Sequence, residues 1–481
     1  MLPTIEFPAL FFLAYLVWVL VVGSGLVLQR RSPVATLGWL FALLALPYIG
    51  IVVWVLFGPR RVARRRLHYA IIRSRVDRAS IDFRKGAFAT DIGEEMRSRF
   101  RQLITLATRL RQPPPARADQ VDLYFNGDAC YDAMAAAFTE ARHHIHVEVY
   151  IWEPGRIADH FLECLCEQAR RRIAVRVLVD DVGSGRANER YFAPLIAAGG
   201  EVAWFNPVRF SQFRPTIANF RTHRKIVVCD GRVGFTGGMN ISSVHSTLSA
   251  GDVTWRDTHA RLSGAPVAAL QRIFLEDWYF AGRQCSIGSE FFPKADAAND
   301  GPIVQIIASG PDTADYAIQR FIFSAITTAR ESIRLTTAYF VPDDATLEAL
   351  KAAALRGVDV QLLVPHRGDS RLVTAAARSY FDEITRTGVK VFEYGPAMLH
   401  AKSLAIDNAL AIVGTANIDT RSFRLNFEVV AAIFDRGAAE QLSTRFDLDL
   451  ESAKRYKPMY DRGKLMPRVT AATARLFSPL L

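Results

Sequence analysis

The strongest constraint on the fold of this 481-residue chain is a pattern of five residue types that occurs twice. The pattern is His-x-Lys, then Asp, Gly and Asn at fixed distances further along the chain. A single His-x-Lys would carry no information, but two copies with identical spacing indicate a duplicated structural unit. The copies consist of His223, Lys225, Asp230, Gly237 and Asn240 in the first half, and of His400, Lys402, Asp407, Gly414 and Asn417 in the second.

The duplication extends beyond this pattern. An amphipathic helix that runs into a strand is predicted at 134–151 and again at 323–341, and matching buried strands follow in both halves. Strands that alternate with helices are typical of an α/β fold, so we expect a largely parallel sheet. The sequence therefore predicts two similar α/β domains, at 116–300 and 301–481, related by a pseudo-twofold axis.

Two apolar runs precede the repeat, and no charged side chain occurs at 7–29 or at 32–59. A helix of about 20 apolar residues spans the hydrocarbon core of a bilayer. We therefore predict membrane-spanning helices at about 7–29 and 34–58, so that residues 1–59 form a transmembrane hairpin. A cleaved signal peptide is disfavoured, because no basic segment precedes the first run and the second run follows at once.

The formal net charge of +11 lies mainly behind this hairpin. Residues 1–59 carry +1 and residues 60–111 carry +10, whereas residues 112–481 are formally neutral. The positive-inside rule then places the soluble part in the cytoplasm, and the basic charges would attract anionic lipids. We interpret 60–115 as a basic juxtamembrane linker. Nucleic acid is disfavoured as a partner, because binding its phosphates needs a basic surface on the domain itself.

The His-x-Lys element predicts an anion site. Alternate side chains of a strand point to one face, so the imidazole and the ammonium group of each copy would lie side by side. Two His, two Lys and two Asn converging on the axis would hold one phosphate. One His could attack phosphorus while the other protonates the leaving alcohol, with lysines and amides stabilising the oxygens. This chemistry requires no metal and no other cofactor.

The paired motifs resemble those of the phospholipase D superfamily, and the chain is similar from end to end to bacterial cardiolipin synthases with two transmembrane helices. Further stretches that carry this resemblance are 46–51, 237–241, 255–259, 414–419 and 421–428. The resemblance implies two phospholipase D-like α-β-α domains in a multi-pass protein of the bacterial inner membrane. It also implies phosphatidyl transfer between two phosphatidylglycerol molecules, which gives cardiolipin and releases glycerol.

The resemblance also implies roles for single residues. His223 would carry the phosphatidyl group, and His400 would be the general acid and then the base for the incoming alcohol. An orienting acid is implied behind each His, with Asp257 the candidate downstream of His223 and Glu428 the candidate downstream of His400. Residues 242–245 depart from the family pattern, and no role is assigned to them.

The two motif acids, Asp230 and Asp407, belong to the catalytic motifs, but we favour a role for them in supporting the fold. Between the first-half strands and the first motif lies an insert, 208–222, in which aromatic and basic side chains alternate. This composition favours lipid contact, with a lid over the site as the alternative.

Other functions stay open at this point. A phospholipase D would use water as the acceptor, and a nuclease could share the same paired motifs. A non-catalytic membrane protein with a degenerate site is a third possibility, which the completeness of both motifs disfavours. The sequence defines no oligomeric state.

Overall fold

The computed structural model describes residues 7–28, 33–45, 67–78, 94–208, 220–294, 300–313, 315–458, 465–476 and 478. Three predicted features lie wholly or mainly outside these residues. They are the end of the second apolar run, the arginines at 60–66 and most of the 208–222 insert.

The strands of the described residues number seventeen. In chain order they are β1 (Ala116–Tyr124), β2 (His144–Val149), β3 (Ala174–Asp180), β4 (Glu201–Phe205), β5 (Ile226–Cys229), β6 (Val233–Gly237), β7 (His259–Gly264), β8 (Ile303–Ser309), β9 (Ser332–Thr336), β10 (Phe340–Val341), β11 (Asp359–Pro365), β12 (Lys390–Tyr394), β13 (Ser403–Ile406), β14 (Leu410–Gly414), β15 (Ile418–Asp419), β16 (Glu428–Phe434) and β17 (Ala453–Arg455).

The helices are numbered here in the same way. They are α1 (Phe7–Leu28), α2 (Pro33–Ala45), α3 (67–78), α4 (Glu94–Arg109), α5 (Gly127–Glu140), α6 (Arg156–Arg170), α7 (Glu189–Ala197), α8 (Thr247–Ala250), α9 (Val267–Phe280), α10 (Ala317–Thr328), α11 (Asp344–Leu355), α12 (Arg371–Thr385), α13 (Thr420–Arg424), α14 (Arg436–Glu451) and α15 (Leu465–Arg475). Short 3₁₀ helices occur at Ser243–His245, Gly251–Val253 and Ser289–Phe291.

Fifteen of the strands form one continuous sheet, which confirms the duplication. Outward from the centre, the first half has the order β1-β7-β6-β5-β2-β3-β4 and the second has β8-β16-β14-β13-β9-β11-β12, followed by β17. The halves join where β1 and β8 pair antiparallel, at Ala116–Val304 and Arg117–Ile303. The pseudo-twofold axis therefore passes between these two strands. The domain division at 300/301 remains a prediction.

The expectation of a largely parallel sheet is wrong. Within the first half only β2, β3 and β4 run parallel, and the strands from β5 to β1 pair antiparallel. The physical reason lies in the motif itself, because residues 230–232 are too few for a crossover and can only turn β5 back into β6. Residues 407–409 do the same between β13 and β14.

The helices α1 and α2 pack against each other through a small apolar cluster of Val22, Leu26 and Leu43. The described side chains of α1 begin at Phe12. Over the described residues, no helix is both long enough and apolar enough to cross a membrane.

The segment interpreted as a linker is partly built into the fold. Three side chains of α3, Tyr69, Ile72 and Val76, belong to a buried cluster with the α9 residue Phe274. The helix α4 places Phe100, Leu103 and Ala107 in the core of the second half. Composition alone had hidden this, because it averages the buried apolar positions of each helix with the many charged residues of the segment.

Candidate active site

Each His-x-Lys pair lies immediately before a strand rather than within it. His223 and Lys225 precede β5, and His400 and Lys402 precede β13. Both lysines fold back so that the ammonium group donates to the carbonyl oxygen of the His two residues earlier, at 2.8 Å in the first half. This contact fixes the ammonium group beside the imidazole of its own motif.

The two motifs meet because the halves exchange backbone hydrogen bonds. In one bridge, the His223 amide donates to the Phe427 carbonyl at 2.9 Å, and the Phe427 amide donates to the Arg221 carbonyl at 3.0 Å. In the other bridge, the His400 amide donates to the Arg256 carbonyl at 2.7 Å. Each catalytic segment is therefore held by a strand-like segment of the opposite half.

This exchange corrects the expected pairing of His and acid. The Nδ1 atom of His223 lies 3.0 Å from Glu428 Oε2, and that of His400 lies 2.7 Å from Asp257 Oδ2. Both acids lie behind a His, but each serves the His of the other half. The reason is the pair of bridges, which put residues 427–428 beside His223 and residues 256–257 beside His400.

Burial controls the protonation of the imidazoles and lysines. Desolvation, with help from Lys225, keeps the pKa of His223 well below its usual value, and it lowers the pKa of His400 to about 4. Desolvation also lowers the pKa of Lys225 to about 7 and that of Lys402 to about 8, although nearby carboxylates partly offset this. A phosphate anion beside these groups would stabilise their cationic forms and raise their pKa values again.

The two carboxyl groups differ in charge. Despite burial, the pKa of Asp257 is held well below its usual value by His400, which donates to it, and by Lys402. Burial raises the pKa of Glu428 to about 7, and the charge of Lys225 opposes this only in part. Asp257 is therefore ionised at neutral pH, whereas Glu428 is ionised in only part of the molecules.

The motif acids, Asp230 and Asp407, serve the backbone and not the imidazoles. Asp230 accepts from the amides of residues 142, 143 and 144 at 2.8, 2.8 and 2.9 Å. Asp407 accepts in the same way from residues 330, 331 and 332. Each thus ties a hairpin turn to the start of a neighbouring strand, as the fold-supporting interpretation predicts.

The two motif asparagines are both buried, but their settings differ. Asn240 Oδ1 accepts from the Ile151 amide at 3.2 Å, so its side-chain amide nitrogen is turned away from Ile151. Asn417 Oδ1 is buried without a hydrogen-bond partner among the described residues. We expect it to gain one when a ligand or water enters.

Sequence reasoning assigned no role to three further groups at the site. Arg421, in α13, lowers the pKa of His223 through its charge. Tyr150 meets His223 edge-on with ring centroids 5.1 Å apart, and Trp255 lies 5.3 Å from the ring of His400. Single Arg, Tyr and Trp residues carry no periodic signal, so only their nearness to a motif could have drawn attention to them.

A third imidazole, that of His245, is also buried here. One ligand atom each from His245, Asp257 and His400 lie within 4.8 Å of one another, and these are the described residues that could hold a metal ion. The neighbouring Lys225 and Lys402 oppose a cation, and His400 Nδ1 is already used by Asp257. The arrangement instead places the carboxylate anion of Asp257 beside both imidazoles.

The chain matches the family model described as "Cardiolipin synthase, PLD-like domain" over residues 134–278 and 322–450, so each match contains one motif copy. It is 38% identical over 461 residues to a cardiolipin synthase of Geobacillus kaustophilus, covering 94% of this chain and 90% of that protein. It is 36% identical over 469 residues to one from Alkalihalophilus pseudofirmus, covering 96% and 92%.

A solved structure shares the fold. The phosphatidylserine synthase of Haemophilus influenzae superposes with a TM-score of 0.57 at 14% identity, over 79% of this chain and 98% of that chain. At this identity the likeness concerns the fold alone.

Proposed function

Because the chain belongs to the cardiolipin synthase family of phospholipase D-like proteins, we propose that it is a membrane-anchored phosphatidyltransferase. Its reaction joins two phosphatidylglycerol molecules into cardiolipin and releases glycerol. The observation that carries this proposal is the pair of largely buried imidazoles, each with a carboxyl group on Nδ1. Such a pair leaves both Nε2 atoms for the two sides of one phosphodiester.

In the first step, Nε2 of His223 forms a bond to phosphorus while the bond from phosphorus to the glycerol oxygen breaks. Nε2 of His400 gives its proton to that oxygen, so glycerol leaves as a neutral alcohol. A phosphatidyl group then remains on His223.

In the second step, a hydroxyl of another phosphatidylglycerol attacks the phosphorus. Nε2 of His400 now accepts the hydroxyl proton, and the bond between phosphorus and His223 breaks. The product is cardiolipin, and both imidazoles return to their starting protonation.

The unequal carboxyl groups support this assignment of roles. An ionised Asp257 stabilises a protonated His400, as a proton donor needs. Glu428, whose pKa burial raises to about 7, stabilises an imidazolium less and leaves His223 neutral, as a nucleophile needs. The phosphate charge that enters with the substrate raises the pKa of both imidazoles towards working pH.

The remaining motif residues would act on the phosphate oxygens. Lys225 and Lys402 approach from opposite halves, and the amides of Asn240 and Asn417 would add neutral donors. Donors fixed before the substrate arrives stabilise the developing charge without reorganisation of solvent. Asp230 and Asp407 contribute indirectly, through the hairpin turns that they hold.

The membrane setting is part of the proposal. The apolar runs at about 7–29 and 34–58 would cross the bacterial inner membrane as a hairpin, leaving the catalytic halves in the cytoplasm. The packing of α1 on α2 and the basic residues that follow support this arrangement. Both substrates are bilayer lipids, which gives a physical reason for tethering the enzyme there.

The test is a lipid assay with the purified full-length chain and vesicles of phosphatidylglycerol, read by mass spectrometry. We expect cardiolipin and free glycerol in equal amounts. Phosphatidic acid without cardiolipin would overturn the transferase in favour of a hydrolase, and DNA cleavage without lipid turnover would favour a nuclease.

The same assay tests the roles of the two imidazoles. His223→Ala should abolish trapping of a phosphorylated enzyme, and His400→Ala should slow its formation. A trapped group on His400 instead would reverse the roles. His160→Ala, at an exposed His on α6, is the matched control and should change neither activity nor trapping.

A further inference from the structure

We propose that His245 is a positioning residue that orients Asp257, and through it the proton donor His400. The proposal rests on the role proposed above for His400. His245 is fully buried at the end of the 3₁₀ helix Ser243–His245. Its imidazole lies between the backbone amide of Asn240, in the first motif, and Asp257, the acid that contacts the His of the second motif.

The proton of the His245 ring is placed by its neighbours. Nε2 faces the backbone amide of Asn240 at 3.3 Å, and an amide N–H can only donate, so Nε2 must accept. The ring proton therefore sits on Nδ1, which lies 3.8 Å from Asp257 Oδ2. This is longer than a hydrogen bond, but it allows a favourable contact between the N–H dipole and the carboxylate.

The Nδ1 donor has no hydrogen-bond partner among the described residues. A buried donor without an acceptor is costly, so a small movement towards Asp257 is favoured. Burial also lowers the pKa of His245 to about 3, so the ring is neutral at working pH. The same oxygen of Asp257, Oδ2, consequently faces two imidazole N–H groups, that of His400 at 2.7 Å and that of His245 at 3.8 Å.

The second half contains a counterpart at the equivalent position. Ser422 stands five residues after Asn417, as His245 stands five residues after Asn240. Its Oγ accepts from the Asn417 amide at 3.2 Å, and its hydroxyl supports Glu428, the acid behind His223. Both halves thus place one side chain between the motif Asn amide and a His-orienting acid.

The loop that carries His245 is held closely. A side chain on Gly127 would meet the His245 carbonyl oxygen at 2.0 Å, so only glycine allows α5 to start there. Asp128 accepts from the Thr247 amide at 2.9 Å, just beyond His245. Trp255 meets the His245 ring edge-on, with centroids 5.7 Å apart. A side chain held in this way is suited to orient another.

The proposal predicts which chemical step depends on His245. Asp257 supports proton donation by His400, and that proton is needed only when the leaving oxygen is basic, as in glycerol. A p-nitrophenol leaving group departs as a stable anion without a proton. Loss of His245 should therefore slow phosphoenzyme formation from phosphatidylglycerol but not from phosphatidyl-p-nitrophenol.

The experiment measures single-turnover formation of the phosphoenzyme from both lipids, using the full-length chain in mixed micelles. For His245→Phe we expect about a tenfold or greater fall with phosphatidylglycerol and less than about a twofold fall with phosphatidyl-p-nitrophenol. The ratio of the two rates in one preparation is independent of the folded fraction. A purely structural role would lower both rates equally and would overturn the proposal.

Two further variants sharpen the result. His245→Asn keeps a side-chain N–H near the position of Nδ1, so it should recover part of the lost rate with phosphatidylglycerol. Ser422→Ala weakens support for the nucleophile, so it should slow both lipids alike. If the wild-type chain forms no phosphoenzyme from either lipid, the proposed function fails. If the wild-type chain forms the phosphoenzyme but the ratio of the two rates is the same in His245→Phe as in wild type, this inference fails and the proposed function stands.

Discussion

The Nδ1 atom of His223 lies 3.0 Å from Oε2 of Glu428, although 205 residues separate them along the chain. The second pair, His400 and Asp257, is separated by 143 residues and crosses in the opposite sense. Neither half therefore contains a complete His–acid pair, and the site exists only where both halves meet. Duplication has produced one site shared by the two halves of the chain.

The crossed pairing predicts how double substitutions combine. Asp257→Asn and His400→Asn act on the same imidazole, so their losses of kcat, each about 100-fold or more, should not multiply in the double variant. Asp257→Asn and Glu428→Gln act on different imidazoles, so their losses should multiply. Steady-state kinetics with phosphatidylglycerol measures both sets. The reverse pattern, with Asp257 coupled to His223, would contradict the crossed arrangement.

The low lysine pKa values predict an alkaline limb in the pH profile. The pKa of Lys225 is about 7 and that of Lys402 about 8, so kcat/KM should fall as pH rises through this range and the ammonium groups lose their protons. A bound phosphate favours the ammonium form, so the limb of kcat should lie at higher pH than that of kcat/KM.

Glu428→Gln tests the cause of this limb. Desolvation lowers the pKa of Lys225, and the charge of Glu428 opposes that effect. Removing the charge should lower the lysine pKa further, so the alkaline limb should move to lower pH. A shift to higher pH would mean that another group causes the limb. Ser443→Ala, on the surface helix α14, is the control and should leave the limb in place.

The motif acid Asp230 should matter for stability and not for the chemical step. Asp230→Ala leaves three backbone amides without their acceptor, and it places alanine at a φ of +55°, so we expect about 3 kcal/mol lower stability. The kcat per folded molecule should stay near that of wild type. Asp230→Asn, which tolerates this φ, should lose less, and Asp447→Ala at an exposed site should lose little.

Denaturant unfolding and active-site titration measure these two quantities separately. A large fall in kcat per folded Asp230→Ala molecule would show that Asp230 takes part in the reaction. The same substitution at Asp407, at a φ of +50°, gives an independent repetition in the second half.

The sequence predicted the motif residues and the duplicated α/β fold because both depend on local spacing. His-x-Lys and the Asp turn that follows determine a segment of about ten residues, and two copies with one spacing must take similar positions in two similar units. The crossing of Asp257 and Glu428 is not local, because it depends on which backbone meets which across the axis. Spacing places each acid near a motif but cannot say whose imidazole it contacts.

Other features escaped prediction for related reasons. His245 is a single imidazole without a periodic pattern. Its place in the site becomes visible only in the structure, where its counterpart in the other half, Ser422, accepts from the equivalent backbone amide. The helix α3 lies in a strongly basic segment, yet its side chain Tyr69 is buried in a cluster with Phe274 and Phe427. Composition averages over a segment and cannot show one buried contact.

That buried contact predicts a link between the segment that follows the apolar runs and the active site. Tyr69 is 1% exposed, its hydroxyl contacts Asp277 and accepts from Arg224 at 3.4 Å, and its ring stacks on Phe427 at 5.1 Å. Arg224 in turn donates to the carbonyl of Glu428 at 3.3 Å. Tyr69 thus supports, from behind, the two segments that bring His223 and its acid together.

Tyr69→Ala should therefore lower stability by about 3 to 5 kcal/mol, as for a buried aromatic residue, and should lower kcat in the molecules that stay folded. Tyr69→Phe keeps the ring and should cost about 1 to 2 kcal/mol through the hydroxyl alone. Ile71→Ala, at an exposed position of the same helix, is the matched control and should change neither quantity by much. The measurements are denaturant unfolding in detergent and kcat per phosphoenzyme-competent site. If Tyr69→Ala lowers stability but leaves kcat unchanged, α3 anchors the fold without positioning His223.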